Sequence, residues 1–598
     1  MDKVVFSDGI IKKADKIINE CMGLADPYCQ SRCPMSTDVK TYVKLIGEKK
    51  YDEAIKVIRD KLFLPNTLGR ICAHPCELDC RRAVEFNQPI AIAALKRFAA
   101  EQADDESIWD ISTGVSTGKK VAIIGAGPAG AQAAIDLRKQ GHSVTIFDKL
   151  NVVGGMMRIG IPEYRLPREI IDFEYNYLTK LGVEIKLGVE IGKDIAFSVL
   201  TDNYDAVLLA NGAHKGNIIP IPGSKANGVF PATEYLKEIS LTRQFPRAGA
   251  RIMVIGGGDV AMDCARSSWR IGAQEVYQCS LEDFDNLPAS QEEIHESLEE
   301  GVIFNAGWGP VEIIESEGKV FGIKIQKVKS IMDSEGRFNP QYEGEPRMIE
   351  VDTVIMATGQ LVEDVTNGAI SQTRGGRFVV DKDTMSTENK KVFVAGDAAG
   401  GVIVVEAMAL GRKAAKSINL FLNGKDLRLD RDFEKEWSYK TNLDIPLPEG
   451  TEDRQRLHTN VRPAQERKKD FKQSDLGFTE EQAILEASRC LECECKLCMK
   501  ECIMMNDFGS CPKDILRPLS TDGKMEPLLA YSCNACDNCT IVCPLQLPMK
   551  EIFIGARKDF VKANHGESPM KGHAAIKMHQ ILGFSKLFTI KVRGGKKK

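Results

Sequence analysis

The feature that most constrains the fold of this chain is a glycine-rich turn that occurs twice, each time between a short apolar strand and a helix. The first copy reads VAIIGAGPAG and the second reads VIGGGDVAMD. In such a turn one glycine permits the tight bend, a second lets a pyrophosphate approach the backbone, and a third small residue lets the helix pack on the strand. A second apolar strand follows each copy, HSVTIFD and EVYQC. Two such units predict two nucleotide-binding domains built on parallel sheets.

The first unit also carries polar residues suited to a dinucleotide. Its turn comprises Gly125, Gly127, Pro128, Ala129 and Gly130. Asp148 ends the second strand, where an acid binds a ribose hydroxyl. The residues that follow at Gly154, Gly155 and Arg158 strengthen the prediction, because the glycines leave the backbone open. Arg158 and Arg165 fit a phosphate or partner contact and plain surface charge about equally well.

The second unit favours NAD(H) over NADP(H). Its turn comprises Gly256, Gly258, Asp259, Val260 and Ala261. An acid at the end of the following strand binds the 2′-hydroxyl of NAD and repels a 2′-phosphate, whereas arginines suit NADP. The segment here is Leu281-Glu282-Asp283, so we expect Glu282 to select NAD(H); the alternative is a solvated loop acid. Thr358 and Gly359 end a further strand, VDTVIMATG.

Composition excludes several classes of protein. The chain has 598 residues, which at roughly 150 residues per domain suggests about four domains. A net charge of −4 gives no sign of the excess positive charge that nucleic-acid-binding proteins carry. The N-terminal sequence lacks the basic and apolar regions of a signal peptide, and no apolar run is long enough to cross a membrane. We therefore expect a cytoplasmic protein.

The 18 cysteines lie in two clumps. Six fall between Cys21 and Cys80 and ten between Cys490 and Cys543; Cys264 and Cys279 stand apart and are interpreted as core residues. Because cytosolic thiols stay reduced, clustered cysteines there indicate metal binding rather than disulfides.

The C-terminal clump contains the spacing C-x2-C-x2-C-x3-C-P, which is typical of bacterial 4Fe–4S ferredoxins. In that pattern the fourth cysteine serves the other cluster. The partner run is irregular, because Glu492 stands where ferredoxin spacing places a cysteine, so Cys493 or Cys490 must replace it. The favoured ligand sets are Cys493, Cys495, Cys498 and Cys543 for one cluster, and Cys502, Cys533, Cys536 and Cys539 for the other. Cys490 and Cys511 have no assigned role.

Residues 16–425 resemble the small subunit of glutamate synthase and its relatives. The resemblance is carried by DPYCQSRCP, GRICAHPCELDC, ALKRFAAE, IIGAGPAG, GGMMRIGIPEYRLP, GGGDVAMDC, NLPAS, ATGQ and AGDAAGG. It implies FAD as a cofactor, with Gly396 and Asp397 at the ribityl chain. Many relatives carry two arginines where this chain has Leu281-Glu282. The region after the ferredoxin pattern resembles the cluster-bearing subunit of heterodisulfide-reductase-like proteins.

The same resemblance implies two interleaved N-terminal 4Fe–4S clusters. One would use Cys21, position 24, Cys29 and Cys80; the other would use Cys33, Cys72, Cys76 and position 96. Because this chain has Leu24 and Lys96 there, each cluster keeps three cysteines. Either other ligands complete them, with Asp26, Glu77, Asp79 and water as candidates, or a cluster has been lost. We expect at least one cluster to survive, and a zinc site is the intermediate alternative.

The predicted fold class is α/β, with two Rossmann-like domains flanked by a helical N-terminal Fe–S domain and a C-terminal α-helical ferredoxin-like domain. The predicted divisions are 1–115 (N-terminal Fe–S), 116–245 and 386–425 (FAD), 246–385 (NAD(H)), 426–485 (linker), 486–550 (dicluster) and 551–598 (docking tail). The basic end of that tail fits an acidic partner, although a solvated tail is the commoner explanation.

These parts predict an NADH-dependent flavin iron–sulfur oxidoreductase subunit that exchanges electrons with partner subunits or ferredoxin in anaerobic metabolism. An electron-bifurcating or transhydrogenase-type complex is one setting for such a subunit. One alternative is a glutamate synthase small subunit, against which the extra ferredoxin domain argues. Another is an electron-wiring scaffold with an inactive flavin site, against which the intact glycine motifs argue.

Overall fold

The computed structural model describes residues 4–21, 23, 27–401, 403–429, 431, 447, 450–493, 495, 497–543 and 545–585. The chain divides into two compact units. The larger unit comprises residues 29–437 and 453–490, and the smaller unit comprises residues 1–28, 438–452 and 491–598. Position 24, Asp26, Pro544 and the basic end at 586–598, all named in the sequence predictions, lie outside the described residues.

The helices are numbered in chain order. They are α1 Asp8–Glu20, α2 Tyr28–Ser31, α3 Val39–Gly47, α4 Tyr51–Arg59, α5 Pro65–Ile71, α6 Pro75–Leu78, α7 Arg81–Phe86, α8 Ile92–Ala103, α9 Pro128–Lys139, α10 Met156–Ile159, α11 Arg168–Lys180, α12 Phe197–Asn203, α13 Ala232–Thr242, α14 Asp259–Arg270, α15 Gln291–Glu300, α16 Val404–Leu422, α17 Ala464–Arg467, α18 Glu480–Ala487, α19 Leu497–Glu501, α20 Ile503–Phe508, α21 Pro512–Asp522, α22 Pro527–Ser532, α23 Asn538–Ile541, α24 Met549–Ala563 and α25 His573–Gly583. None of these described helices is both long and apolar enough to cross a bilayer.

The strands are numbered in the same way. They are β1 Lys120–Ile124, β2 Ser143–Asp148, β3 Glu184–Leu187, β4 Ala206–Leu209, β5 Lys215–Gly216, β6 Val229–Pro231, β7 Arg251–Ile255, β8 Glu275–Ser280, β9 Ile303–Ala306, β10 Trp308–Ser316, β11 Lys319–Met332, β12 Phe338–Glu350, β13 Thr353–Met356, β14 Gln360–Leu361, β15 Val392–Val394, β16 Asn460–Val461 and β17 Asp475–Gly477.

A five-stranded parallel sheet carries the first glycine motif. Its strand order is β15-β4-β1-β2-β3, and β15 enters from far downstream to pair with β4. The central strands β1 and β4 are short apolar runs that are buried along nearly their whole length, as strands covered on both faces must be. Helices α9 and α16 pack against each other beside this sheet. The sheet therefore joins segments on either side of the second glycine motif.

A second five-stranded parallel sheet carries the second glycine motif, with the order β6-β13-β7-β8-β9. The antiparallel sheet β10-β11-β12 is inserted between β9 and β13 in the sequence. Together the two parallel sheets confirm the predicted α/β class. The residue boundaries of the individual domains stay predictions.

The segment predicted as a linker differs from that expectation over its second half. Residues 453–490 belong to the larger unit and form β16, β17, α17 and α18. Arg467 and Arg489 from this segment are almost completely buried. Composition misled the sequence prediction, because charged side chains normally indicate a solvated surface, whereas these two are paired inside the protein.

The first helix also differs from its predicted grouping. Residues 1–28 were assigned to the N-terminal Fe–S domain, but they belong to the smaller unit. Ile10, Ala14 and Ile17 form the buried face of α1, and they share one apolar cluster with Leu516 and Ile552. An amphipathic helix must bury its apolar stripe, but the stripe does not specify which neighbour covers it.

Candidate cofactor and cluster sites

The first glycine turn is a cradle that admits no side chains at its narrow points. A Cβ at Gly125 would lie 2.2 Å from the carbonyl oxygen of Ala210, and one at Gly130 would lie 2.1 Å from that of Gly125. Gly125 has φ of +113°, which favours glycine. A Cβ at Gly127 would meet open space, and α9 begins at the next residue. A free backbone at the N-terminus of a 12-residue helix is the geometry that binds a pyrophosphate.

Asp148 lies at the end of β2, and its carboxylate holds the turn. One oxygen accepts the amide N–H of Ala126 at 2.7 Å and the other accepts that of Leu150 at 2.8 Å. Burial raises the pKa of Asp148 despite these two hydrogen bonds. Because a carboxylate offers about four acceptor positions, two remain for ribose hydroxyls.

Two further glycine segments close around the same cradle. Gly155 has φ of +52°, and a Cβ there would lie 2.9 Å from the Cα of Gly127. Gly396 has φ of +69°, and a Cβ there would lie 2.9 Å from the Cβ of Ala129. Asp397, next in the chain, is mostly shielded from water, and burial raises its pKa to about 6. Sequence reasoning missed Gly411 of α16, where a Cβ would lie 2.2 Å from the carbonyl oxygen of Ala129.

The two arginines after the first motif are engaged in ion pairs. Arg158 binds Asp172, with N···O distances of 2.9 and 2.7 Å. Arg165 binds Asp263 at 2.8 Å and Glu293 at 2.8 Å. Arg165 thus connects the first nucleotide-binding region to α14, the helix of the second glycine motif.

The second glycine turn has the same form and an acid beside it. Gly256 has φ of +142°, and α14 begins directly after Gly258. A Cβ at Gly257 would lie 3.1 Å from a carboxylate oxygen of Glu282. Glu282 therefore lies beside the second glycine turn.

The segment at Thr358 and Gly359 is fixed by a residue that the sequence did not single out. The Thr358 hydroxyl donates to the carbonyl oxygen of Asn217 at 3.0 Å, and the Asn217 amide N–H donates to the carbonyl oxygen of Gly359 at 3.1 Å. The Asn217 side chain returns a bond to the Thr358 carbonyl at 3.2 Å. This reciprocal pairing has no local sequence signature.

The two isolated cysteines are core residues, as predicted. Cys264 lies on α14 and Cys279 lies on β8, and both are fully buried. Burial raises the pKa of both thiols, to about 12 for Cys279. Neither is suited to act as the redox-active thiolate of a disulfide reductase.

The N-terminal cysteines of the larger unit form two neighbourhoods. Cys33, Cys72 and Cys76 are close enough to influence one another's ionisation, and Lys96 lies beside them. Cys80 is the N-cap residue that precedes α7, and both Cys80 and Cys490 interact electrostatically with the nearby Arg82. Arg82 also donates a hydrogen bond to the backbone carbonyl of Arg489. Cys490 therefore lies with the N-terminal cysteines, which its place in the sequence concealed.

Glu77 and Asp79, which the sequence suggested as substitute cluster ligands, are engaged in other contacts. Glu77 is buried and accepts the Ala93 amide at 2.9 Å and the Arg456 guanidinium at 2.6 Å. Asp79 forms an ion pair with Arg32.

The smaller unit has a partly open cavity whose wall is rich in cysteines. The cysteines in its wall are Cys21, Cys495, Cys498, Cys539 and Cys543. The Cys539 thiol also has Cys502 and Cys533 as electrostatic neighbours, which places it with a second group. Cys21 and Cys511 lie close together, because a Cβ at Gly23 would lie 3.0 Å from the Cys511 sulfur and 3.4 Å from the Cys21 sulfur. The sequence did not predict this association.

The spacing of these thiols bears on the kind of metal. Among the described residues, no three His, Cys, Asp or Glu side chains converge closely enough to hold a single ion. Zinc draws its ligands to about 2.3 Å from one point, whereas a cubane cluster spreads four thiolates around a larger body. The thiol-only donor sets fit 4Fe–4S clusters.

Three family models match the chain. One describes the pyridine nucleotide-disulphide oxidoreductases and matches residues 119–417. This chain belongs to that family. A model for the 4Fe-4S cluster domain II of dihydropyrimidine dehydrogenase matches residues 6–108, and a 4Fe-4S dicluster model matches residues 489–548. The chain is thus a pyridine nucleotide-disulphide oxidoreductase with 4Fe–4S domains at both ends, as the sequence predicted.

Curated relatives of this family member include subunits of several redox enzymes. The "NADP(+)-dependent formate dehydrogenase subunit beta" of Moorella thermoacetica is 36% identical over 499 residues, covering 78% of this chain and 70% of the relative. The "Glutamate synthase [NADPH] small chain" of Escherichia coli is 34% identical, covering 69% of this chain and 92% of the relative. The "NADPH-Fe(3+) oxidoreductase subunit beta" of Geobacter sulfurreducens is 32% identical, covering 82% and 78%. The predicted resemblance to glutamate synthase small subunits is confirmed.

Proposed function

We propose that this chain is the NADH-oxidising subunit of a multisubunit redox complex, moving electrons between NAD(H), FAD and 4Fe–4S clusters. The observation that carries the proposal is the coexistence of two open glycine cradles in the larger unit with thiol groups arranged for clusters in both units. When bound, FAD exchanges a hydride with the nicotinamide and single electrons with the clusters. Partner subunits or a ferredoxin then exchange electrons with the clusters.

The chain's own groups would bind and position the nucleotides. The backbone amides at the start of α9 would bind the FAD pyrophosphate, Asp148 and Asp397 would bind its hydroxyls, and the start of α14 would bind the second pyrophosphate. The ion pairs from Arg165 to Asp263 of α14 and Glu293 of α15 hold both helices against the segment after the first motif.

NADH is the proposed nicotinamide, although the names of the relatives cite NADP(+) or NADPH. A 2′-phosphate near Glu282 would meet a like charge, and the segment from β8 to the start of α15 contains no arginine or lysine to offset it. Like-charge contact disfavours NADP(H), and the ribose hydroxyl of NAD(H) gains a charge-assisted hydrogen bond.

The proposed cluster ligands in the larger unit are Cys33, Cys72 and Cys76 for one cluster and Cys29, Cys80 and Cys490 for the other. Lys96 lies beside the first set. In the smaller unit, Cys502, Cys533, Cys536 and Cys539 hold one cluster, and Cys495, Cys498 and Cys543 supply three ligands of a second.

Flavin absorbance tests the proposal directly. Anaerobically purified chain is mixed with one equivalent of NADH or of NADPH. NADH is expected to bleach the flavin band at least tenfold faster than NADPH. Bleaching by neither nucleotide would favour the wiring-scaffold function, and glutamine-dependent glutamate formation with a large subunit would favour glutamate synthase. Faster bleaching by NADPH would contradict the cofactor assignment alone.

A further inference from the structure

The cysteine-lined cavity of the smaller unit receives a thiol from the opposite end of the chain. Cys495, Cys498 and Cys543 belong to the C-terminal dicluster pattern, whereas Cys21 follows the first helix. Cys493, which ferredoxin spacing had offered as the fourth ligand, is not among the described residues of the cavity wall.

We infer that Cys21 is the fourth ligand of the 4Fe–4S cluster held by Cys495, Cys498 and Cys543. The inference rests on the proposed function only in requiring that the smaller unit bind clusters. It reassigns Cys21 from the N-terminal clusters to the ferredoxin-like domain, and it removes Cys493 from this cluster.

The packing of α1 places Cys21 in the cavity wall. The apolar face of α1 lies in the same buried cluster as α21 and α24. Polar contacts fix the helix along its length, because the Ser7 amide donates to Asp559 at 2.9 Å and the Ser520 hydroxyl donates to Asp15 at 2.5 Å. Cys21 is the residue that caps the C-terminus of this fixed helix, so its position is set by the core and not by a free loop.

The surroundings of Cys21 suit a metal-bound thiolate. The Gly23 amide donates to the Cys21 sulfur at 3.4 Å, which is the kind of hydrogen bond that stabilises cluster sulfurs. A Cβ at Gly23 would lie 2.5 Å from the Cβ of Cys511, so glycine is needed for this approach. Cys511 is buried, lies beside Cys21 and is not among the described residues of the cavity wall.

The backbone conformation of the irregular cysteine run is consistent with the absence of Cys493 from the described cavity wall. Glu492 occupies the position of the missing ferredoxin cysteine and has φ of +52°, a left-handed conformation that turns the chain there. Cys490, two residues earlier, is grouped with the larger unit. Cys495 is thus the first cysteine of the run in the cavity wall.

Single and double serine variants of the full chain, purified anaerobically, test the inference. Cys21→Ser and Cys495→Ser are each expected to lose the same reduced-cluster signal in electron paramagnetic resonance, with the iron content falling by up to one cluster. If both residues serve one cluster, the double variant loses no more than that cluster. Cys264→Ser, at a buried cysteine away from the clusters, is the matched control and should keep the iron content of the unaltered chain.

Additive loss in the double variant, or unchanged iron and spectra in Cys21→Ser, would overturn the inference. If Cys21→Ser misfolds, alkylation of the unaltered holoprotein tests the inference instead. Cys21 should resist iodoacetamide until a chelator removes the clusters. Labelling of Cys21 in the intact holoprotein would also overturn the inference. Cluster signals that persist in all variants leave the proposed function standing, whereas absence of iron from the unaltered chain would remove both.

Discussion

At the scale of single residues, the two glycine turns could be predicted from the sequence, whereas the spatial grouping of the cysteines could not. Gly125, Gly256 and Glu282 can be recognised in the sequence, because a glycine-rich turn and one acidic residue after the second strand are the pattern of a dinucleotide site. The thiol arrangement depends on contacts between distant segments. Neither Cys21 nor Cys490 carries a local signal of its neighbours, so the sequence did not reveal which other cysteines lie beside them.

Glu282 carries the cofactor preference in this account, so Glu282→Ala should relax it. Losing a hydrogen bond from a charged group costs about 1.5–3 kcal/mol, so kcat/KM for NADH should fall roughly tenfold to a hundredfold. The kcat/KM for NADPH should rise, because the negative charge that repels the 2′-phosphate is removed. Steady-state reduction of an artificial acceptor measures both values.

Asp283→Asn is the matched control for Glu282→Ala. Asp283 is exposed and its side chain accepts the Asn286 amide at 3.1 Å, a role that asparagine retains. The control should leave the ratio of the two kcat/KM values unchanged. An unchanged ratio in Glu282→Ala would show that Glu282 is a solvated loop acid.

At the scale of elements, strands and helices around the glycine turns followed from apolar runs and small residues, but α17 did not. Arg467 at the end of α17 is buried and donates to Glu300 at 3.0 Å and to Glu299 at 2.7 Å. Arg266 and Arg270 of α14 bind the same Glu300, at 3.0 and 2.7 Å. Burial opposes ionisation of Glu300, yet the arginines hold its pKa at about 2. Such a network depends on three segments meeting, which no local pattern reveals.

Arg467→Ala should therefore destabilise the larger unit strongly. Removing one partner from a buried ion network leaves uncompensated charge and costs about 3–5 kcal/mol. Urea denaturation followed by flavin fluorescence should show an earlier midpoint for release of the cofactor.

The control is Arg428→Ala, whose guanidinium is 56% exposed and pairs with Asp381 and Asp383. Exposed ion pairs contribute about 0–1 kcal/mol, so this variant should unfold close to the unaltered chain. Equal midpoints for the two variants would mean that the buried network contributes nothing to stability.

At the scale of the whole molecule, the chain combines a two-nucleotide flavoprotein with cluster-binding domains drawn from both ends. The family matches establish these parts, and the smaller unit shows how segments from both ends of the chain are joined, since α1 and the described residues between 491 and 585 belong to one compact body. The central claim is that electrons pass between the clusters and the nicotinamide through the flavin.

The most direct measurement of that claim is electron counting in the reverse direction. The anaerobic holoprotein is fully reduced with dithionite, desalted and mixed with excess NAD⁺, and NADH is quantified by absorbance while the clusters are followed by electron paramagnetic resonance. The prediction is loss of the reduced-cluster signals together with more NADH than the single hydride that each flavin can supply. NADH limited to one equivalent per flavin, with the cluster signals unchanged, would contradict the claim.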